Sequence, residues 1–294
     1  MKKNSSRFIL GTSQFGFKYG IANKNKGKLK KVEINKILNY ALENNITKLD
    51  TAYIYGDSLK TLGKIGVKNF KIISKIPHIS CDYKKISSEV KRYVCQIIDN
   101  LNVKKISCIL IHFYKKNKSE YNDLVLNSLL KLKADGIIDY VGVSLYDPSE
   151  LFYFKNYKYF DVIQVPFNIF DKRILDPKIL NLLRQNKISI HIRSIFLQGL
   201  LLMEKELPKK FSRWKNYFDI WHKYIKDIGS NCLQVNISHA TSVNHFDGII
   251  VGVDNFFQFQ EIIRYIDDKV EFSGLPDFIV TDKRLINPYE WESL

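Results

Sequence analysis

The stretch LDTAYIYGDSLKTLG, Leu49 to Gly63, sets Asp50 at the end of a short apolar run and follows it with Tyr53, Tyr55 and Gly56 before a helix can begin. A hydrophobic core has no use for a carboxylate and phenols at that point. Polar groups also close the apolar runs that follow. Lys75 ends one in IISKIP, His112 ends one in ILIHF, Ser144 ends one in VGVS, and Gln164 lies near the end of VIQVPFN. A carboxylate, a phenol, an ammonium and an imidazole can all give, take or hold protons, so a site that gathered them could do acid–base chemistry. Each has an ordinary structural reading when taken alone. A lysine after a strand is usually solvated, and a histidine on an apolar strand is usually hydrogen-bonded in the core. An aspartate can cap a turn, and a buried tyrosine needs only a partner for its hydroxyl. Their recurrence at equivalent positions of successive runs needs a common cause.

The elements that must position them alternate along the chain. Apolar, β-branched runs predict strands at Arg7–Gly11, Thr47–Asp50, Phe70–Lys75, Ser107–His112, Asp139–Ser144, Asp161–Pro166, Ser189–Ser194 and Gly248–Gly252. Several are continuously apolar, as strands buried on both faces are. Helical spacing separates them, with Ile34, Ile37, Leu38, Ala41 and Leu42 on one face and Val90, Tyr93, Val94, Ile97 and Ile98 on another. Strands and helices in alternation, without GxGxxG after the first strand, predict a single-domain (β/α)8 TIM barrel spanning residues 1–294. In such a barrel the strand C-terminal ends share one mouth, which is the catalytic face. After the seventh strand the rhythm breaks. GLLLMEKELPKK leads into Trp214, Tyr217, Phe218, Trp221 and Tyr224, whose spacing predicts an extra helix. Its aromatic face reads either as buried packing or as a wall of the pocket.

Composition narrows the function classes. The chain has 294 residues and a net charge of +16, with lysines spread along its length and short clusters at Lys28, Lys30, Lys31 and at Lys115, Lys116, Lys118. That spread argues against a nucleic-acid module, which concentrates its basic residues on one element. No apolar run approaches the roughly 18 residues of a membrane span. The opening MKKNSSRFILG lacks a signal-peptide core. Cys81, Cys95, Cys108 and Cys232 are too scattered for a disulfide framework or a zinc site. The expectation is a reduced, cytoplasmic protein without a metal, bound to neither nucleic acid nor membrane, of undetermined oligomeric state.

The stretch DTAYIYGDSLKTLG resembles the DTAxxYGxSExxLG signature of the aldo/keto reductase family. The lysine after the third strand, the histidine after the fourth, GVSLYDP, IQVPFNIFDKR and FLQGLL follow in the family's order, and the resemblance runs from about Phe8 to INPYEW. Leu59 stands where the signature usually has Glu. The resemblance implies reversible hydride transfer between a nicotinamide cofactor and a small-molecule carbonyl. Tyr55 would give the proton that the carbonyl oxygen needs, with Lys75 beside it lowering the phenol pKa from its ordinary value of about 10. Asp50 would hold Lys75, and His112 would donate a hydrogen bond to the carbonyl oxygen.

The resemblance also implies a cofactor site. Ser144 and Gln164 would meet the nicotinamide carboxamide, although Leu145 replaces the asparagine of many members. Arg193 and Ser194 fall in the ring-stacking and pyrophosphate segment, where Arg193 replaces an aromatic residue and suits a phosphate. Gly252, Val253 and Asp254 would hold the adenosine end. Family habit favours NADP(H). Gln258 at the usual basic position, with Asp254 nearby, leaves only a weak preference for NADPH and makes NAD(H) usable. The GTSQFGFKYGIAN opening and IQVPFNIFDKR resemble a bacterial branch often associated with carbohydrate metabolism. Two other readings stay open: a cofactor-binding regulatory subunit with little turnover, and a lyase or epimerase that borrows the hydride transiently.

Overall fold

The protein's structure is a computed structural model that describes residues 4–23, 27–112, 119–204, 207–271 and 274–294. The Lys115, Lys116, Lys118 cluster lies outside the described residues. Eight parallel strands close on themselves in sequence order: β1 (Phe8–Gly11), β2 (Lys48–Asp50), β3 (Lys71–Ile76), β4 (Ile106–His112), β5 (Ile138–Ser144), β6 (Val162–Pro166), β7 (Ser189–Arg193) and β8 (Gly248–Gly252). The expected (β/α)8 barrel is therefore the fold, and the strand limits differ from the sequence reading by about a residue. Ser194 illustrates the reason. Its φ of 60° takes the chain out of the extended region, so β7 stops at Arg193 although the apolar pattern does not.

The helices are α1 (Ser13–Gly16), α2 (Lys31–Glu43), α3 (Ser58–Ile65), α4 (Ile86–Leu101), α5 (Ser119–Ala134), α6 (Pro177–Gln185), α7 (Lys215–Asp227), α8 (Cys232–Ser242), α9 (Phe256–Asp267) and α10 (Lys283–Ile286). In α4 the buried residues Ile86, Val90, Val94, Ile97 and Leu101 make one stripe at helical spacing, which docks on the barrel. The helix ends at Asn102, whose left-handed φ of 52° suits an asparagine C-cap. Among the described residues no helix is long and apolar enough to cross a membrane.

Apolar side chains pack both faces of the strands. Side chains on the outer strand faces join the helices in the main core, while Ile9, Ile73, Cys108, Leu110, Val162 and Ile250 fill the bore. The aromatic segment after β7 forms α7. Phe218 and Trp221 are buried there with Leu197, Leu201 and Phe211, and the Trp221 indole N–H donates to the Leu201 carbonyl at 3.2 Å. None of the five aromatic residues of that stripe lines the cavity at the mouth, so its face is packing and not a pocket wall.

Trp221→Ala removes the largest fully buried side chain of this second core. It should lower unfolding free energy by about 3–5 kcal/mol. Chemical denaturation of the purified variant measures this, and an unchanged midpoint would mean that α7 packs without contributing to stability.

Candidate active site

Strand register places the polar residues. Pairing opposes His112 to Ser144 and Ser144 to Gln164, so three polar side chains lie side by side on β4, β5 and β6. Asp50 opposes Ile73, which puts Lys75 one side-chain repeat further along on the same face of β3. That stagger follows from the tilt of strands in a closed barrel. Asp50 and Lys75 thereby meet at the top of the bore, above the apolar filling.

The pair is almost wholly shielded, with Lys75 2% and Asp50 3% exposed. The Lys75 ammonium donates to Asp50 Oδ1 at 2.6 Å and to the Thr51 carbonyl at 3.2 Å. Gln164 Nε2 donates to the other oxygen, Oδ2, at 2.7 Å, and the Ser144 hydroxyl donates to Gln164 Oε1 at 3.1 Å. Lys75 Nζ also lies 5.3 Å from the centre of the Tyr55 ring.

Tyr55 sits in the loop between β2 and α3, and that loop is pinned. The Ser58 hydroxyl lies 3.0 Å from both the carbonyl and the hydroxyl of Thr12, and the Thr12 hydroxyl donates to the Asp50 carbonyl at 3.0 Å. Gly16 of α1 lies directly against the loop. A Cβ built there would come within 1.7 Å of the Tyr55 carbonyl oxygen, so only glycine allows this approach. Leu59, the departure from the family signature, is buried in the main core at the start of α3 and faces no polar partner of the site.

The charges around Tyr55 differ from the sequence expectation. Burial, followed by the negative charge of Asp50, pushes the phenol above its ordinary value, and Arg193 opposes this. The net direction is thus upward, opposite to the lowering expected from Lys75, whose ammonium is paired with Asp50 at 2.6 Å. Burial also lowers the Lys75 pKa, against the pull of Asp50. His112 drops to about 3, by burial first and then by the charges of Lys75 and Arg193, so its imidazole is neutral.

One cavity of about 710 Å³ covers this floor. Asp50, Tyr55, Lys75 and His112 line it together. Of the other residues marked in the sequence, Ser144, Gln164, Arg193, Ser194, Gly252 and Asp254 also line it. Val253 does not. It is fully buried in the main core, because alternation along the chain turns its side chain away from Gly252 and Asp254. Arg193 lies over the Tyr146 ring at 5.0 Å and donates to the Leu145 carbonyl at 2.9 Å and to the Ser194 hydroxyl at 3.1 Å. Beside β8, Gln14 donates to Asp254 Oδ1 at 3.4 Å, and the Asp254 N–H donates to Gln258 Oε1 at 2.7 Å. Burial raises the Asp254 pKa, with the Gln14 bond opposing.

Tyr19, Tyr146, Gln198 and Tyr289 line the cavity without having been marked in the sequence. Tyr146 and Tyr19 sit in GVSLYDP and GTSQFGFKYGIAN, and aromatics just beyond strand ends were the available signal. Tyr289 follows α10 and gives none. Its ring reaches the site only through tertiary packing, 5.6 Å from Tyr146. The loop after β7 crosses the mouth to meet Tyr19's neighbours. Leu197, Gln198 and Gly199 have φ of 47°, 54° and 88°, and this turn brings the Gln198 carbonyl to the Ile21 N–H at 3.0 Å. Left-handed backbone in a non-glycine residue costs roughly 1–2 kcal/mol, so the packing around the crossing must hold it.

The residues suit a dinucleotide. The cavity joins a reactive floor to the β8 loop. Gly252 keeps it open there, since a Cβ would come 2.9 Å from the Gln14 amide. Arg193, whose bonds among the described residues go to neutral oxygens, offers an uncompensated positive charge to phosphates.

Comparison with known proteins identifies the family. The model of the aldo/keto reductase family matches residues 7–273. No curated protein sequence matches the chain. Among solved structures, aldo-keto reductase AKR11C1 from Bacillus halodurans, in its holo form, superposes with a TM-score of 0.70 at 16% identity, covering 97% of this chain and 91% of that one. The thermostable aldo-keto reductase Tm1743, in complex with the inhibitor epalrestat, superposes at 0.63 with 18% identity, covering 91% of each chain. At such identities the structural likeness is one of fold.

The buried histidines set a pH dependence. His191, in the bore, and His239 have pKa values lowered by burial to about 3 and about 4. Below an unfolded pKa of about 6.5 the unfolded chain binds protons that the folded chain refuses. Stability should therefore fall as pH drops from about 6.5 towards 4, by up to about 1.4 kcal/mol per pH unit for each such histidine. Denaturant titrations at pH 7 and 5 on the parent and on His191→Gln test this. The variant should show the shallower loss, and equal slopes would mean that His191 accepts a proton in the fold.

Proposed function

The chain belongs to the aldo/keto reductase family and is a nicotinamide-dependent oxidoreductase; we propose that it reduces the carbonyl of a small aldehyde or ketone to an alcohol. The observation that carries this reading is the buried Asp50–Lys75 pair beneath Tyr55, with His112 on the same cavity floor. When bound, the nicotinamide cofactor supplies a hydride to the carbonyl carbon.

The protein's own residues then manage charge and proton at the carbonyl oxygen. Tyr55 holds its proton throughout the neutral range because burial and Asp50 raise its pKa. A phenol with a raised pKa is a weak acid, yet a developing alkoxide is more basic still, so the transfer runs toward the substrate oxygen. His112, neutral at working pH, can donate one ring N–H to that oxygen without leaving a charge behind. Lys75, anchored by Asp50, offsets the negative charge left on Tyr55 once its proton has gone. Arg193 and Ser194 would hold the cofactor's phosphates, and Gly252 and Asp254 its adenosine half, with Ser144 and Gln164 on the nicotinamide side. Tyr19 and Gln198 set a hydroxyl and an amide on the cavity wall, which suits a polar, sugar-derived carbonyl.

Tyr55→Phe removes the proton donor and little else. Carbonyl reduction should fall by at least about a thousandfold, within the range that loss of a general acid produces, while cofactor binding stays near that of the parent. Steady-state turnover with an aldehyde panel, beside NADPH binding followed by its fluorescence, checks both halves. Retained kcat would remove Tyr55 from the role, and absence of net NADPH oxidation by the parent protein would sink the reductase reading itself.

Cofactor choice follows from the lining. Its cations are Lys75 and Arg193, and the β8 side presents Asp254 and Gln258 with no lysine or arginine among the described lining residues. The weak preference for NADPH should therefore show as a kcat/KM ratio within about tenfold of NADH, equivalent to about 1.4 kcal/mol. A thousandfold bias towards NADPH would require a basic clamp outside this lining.

A further inference from the structure

Gln164 is fully buried on β6, yet its amide reaches across the bore to Asp50 on β2. The direction of each bond follows from chemistry. A carboxylate only accepts, so the amide nitrogen faces Asp50 Oδ2 at 2.7 Å, and the amide oxygen is left to accept from the Ser144 hydroxyl at 3.1 Å. Asp50 is consequently gripped on both oxygens, by Lys75 on Oδ1 and by Gln164 on Oδ2. All four side chains are at least nine-tenths shielded from solvent, where a hydrogen bond to a charged group is strong and an unsatisfied one is costly.

We infer that Gln164, oriented by Ser144, is a positioning residue for the proton-transfer machinery: it holds the Asp50 carboxylate in register so that Lys75 stays fixed beneath Tyr55. This rests on the reductase reading and assigns Gln164 a task distinct from contact with the cofactor. The bond has two consequences. It fixes the carboxylate's rotation, which sets where the Lys75 ammonium lies. It also draws off part of the carboxylate's negative charge, which Lys75 and Tyr55 otherwise feel more strongly.

Two substitutions test it. Gln164→Met keeps the volume and removes both polar groups. Reduction at saturating NADPH should slow by about ten- to a hundredfold, the scale at which orienting partners act. The stronger test is Gln164→Glu. A protonated glutamic acid can reproduce both bonds, giving its O–H to Asp50 and accepting from Ser144, whereas the ionised form sets a second carboxylate against Asp50. Besides Asp50 and Lys75, the titratable groups facing this cluster are Tyr55, Cys108, His112, His191 and Arg193; both histidines are neutral, and burial pushes the Tyr55 phenol and the Cys108 thiol up, so both stay protonated. The Glu variant should therefore approach parental kcat at low pH and lose it as pH rises, along a limb that the parent lacks.

A readout free of turnover uses cofactor-free protein labelled with [15Nζ]lysine, the Lys75 signal being assigned through Lys75→Met. In Gln164→Met that signal should titrate at higher pH than in the parent, since Asp50 then bears its charge undivided and holds the Lys75 proton more tightly. Thermal melts confirm that each variant folds, and if the Met variant does not, the Glu variant's pH limb decides alone. The inference is overturned if the Met variant keeps parental kcat at saturating NADPH. It is also overturned if the Glu variant shows no new limb. A parent that oxidises no NADPH with any carbonyl would overturn the reductase reading instead, and the lysine titration would still report on Gln164.

Discussion

An ammonium and a carboxylate buried within 2.6 Å of each other at the top of an apolar bore are the constraint around which this site is built. Taking both charges out of water costs several kcal/mol per ion before their attraction and their other hydrogen bonds offset it. Here the offsets are visible. The Thr51 carbonyl takes a second bond from Lys75, and Gln164 satisfies the free oxygen of Asp50. Removing one member of such a pair leaves an uncompensated buried charge, which typically destabilises by about 3–5 kcal/mol. The strands that carry these residues are thus held together by the same contacts that fix the chemistry.

Barrel closure supplies the geometry. Because neighbouring strands are staggered, residues at the ends of β2, β3, β4, β5 and β6 converge, although Asp50 and Gln164 are 114 positions apart in the chain. The layer beneath is filled by Ile73, Leu110, Val162 and Ile250, which deny water access from below and leave the polar groups only each other as partners. Burial then does what solvent would prevent. It keeps His112 neutral and Tyr55 protonated, the states that hydrogen-bond donation and proton transfer to a carbonyl require.

The loops add a second level of control. Those after β1 and β7 meet over the mouth through Ile21 and Gln198, and the loop after β2 is locked against Gly16. The aromatic helix α7 does not enter the cavity. By burying Phe218 and Trp221 it supports the segment Leu197–Leu202, whose left-handed turn would otherwise relax. A structural element can therefore serve the site without touching anything bound in it.

The sequence by itself determined the alternation of buried strands and helices, and hence the barrel. It also placed Asp50, Lys75, His112, Ser144 and Gln164 at strand ends, because hydrophobic period and the position where it stops are local properties. Tyr55 was legible for the same reason, standing in a conspicuous loop. Which of these residues touch was decided only by the tertiary structure. The Gln164–Asp50 bond depends on register accumulated around the barrel, and no spacing along the chain encodes it. Local pattern likewise could not show that Val253 faces the core, that Tyr289 reaches Tyr146, or that burial and Asp50 together push the Tyr55 pKa up. Those outcomes turn on burial and on distances between charges, and both exist only once the chain has closed on itself.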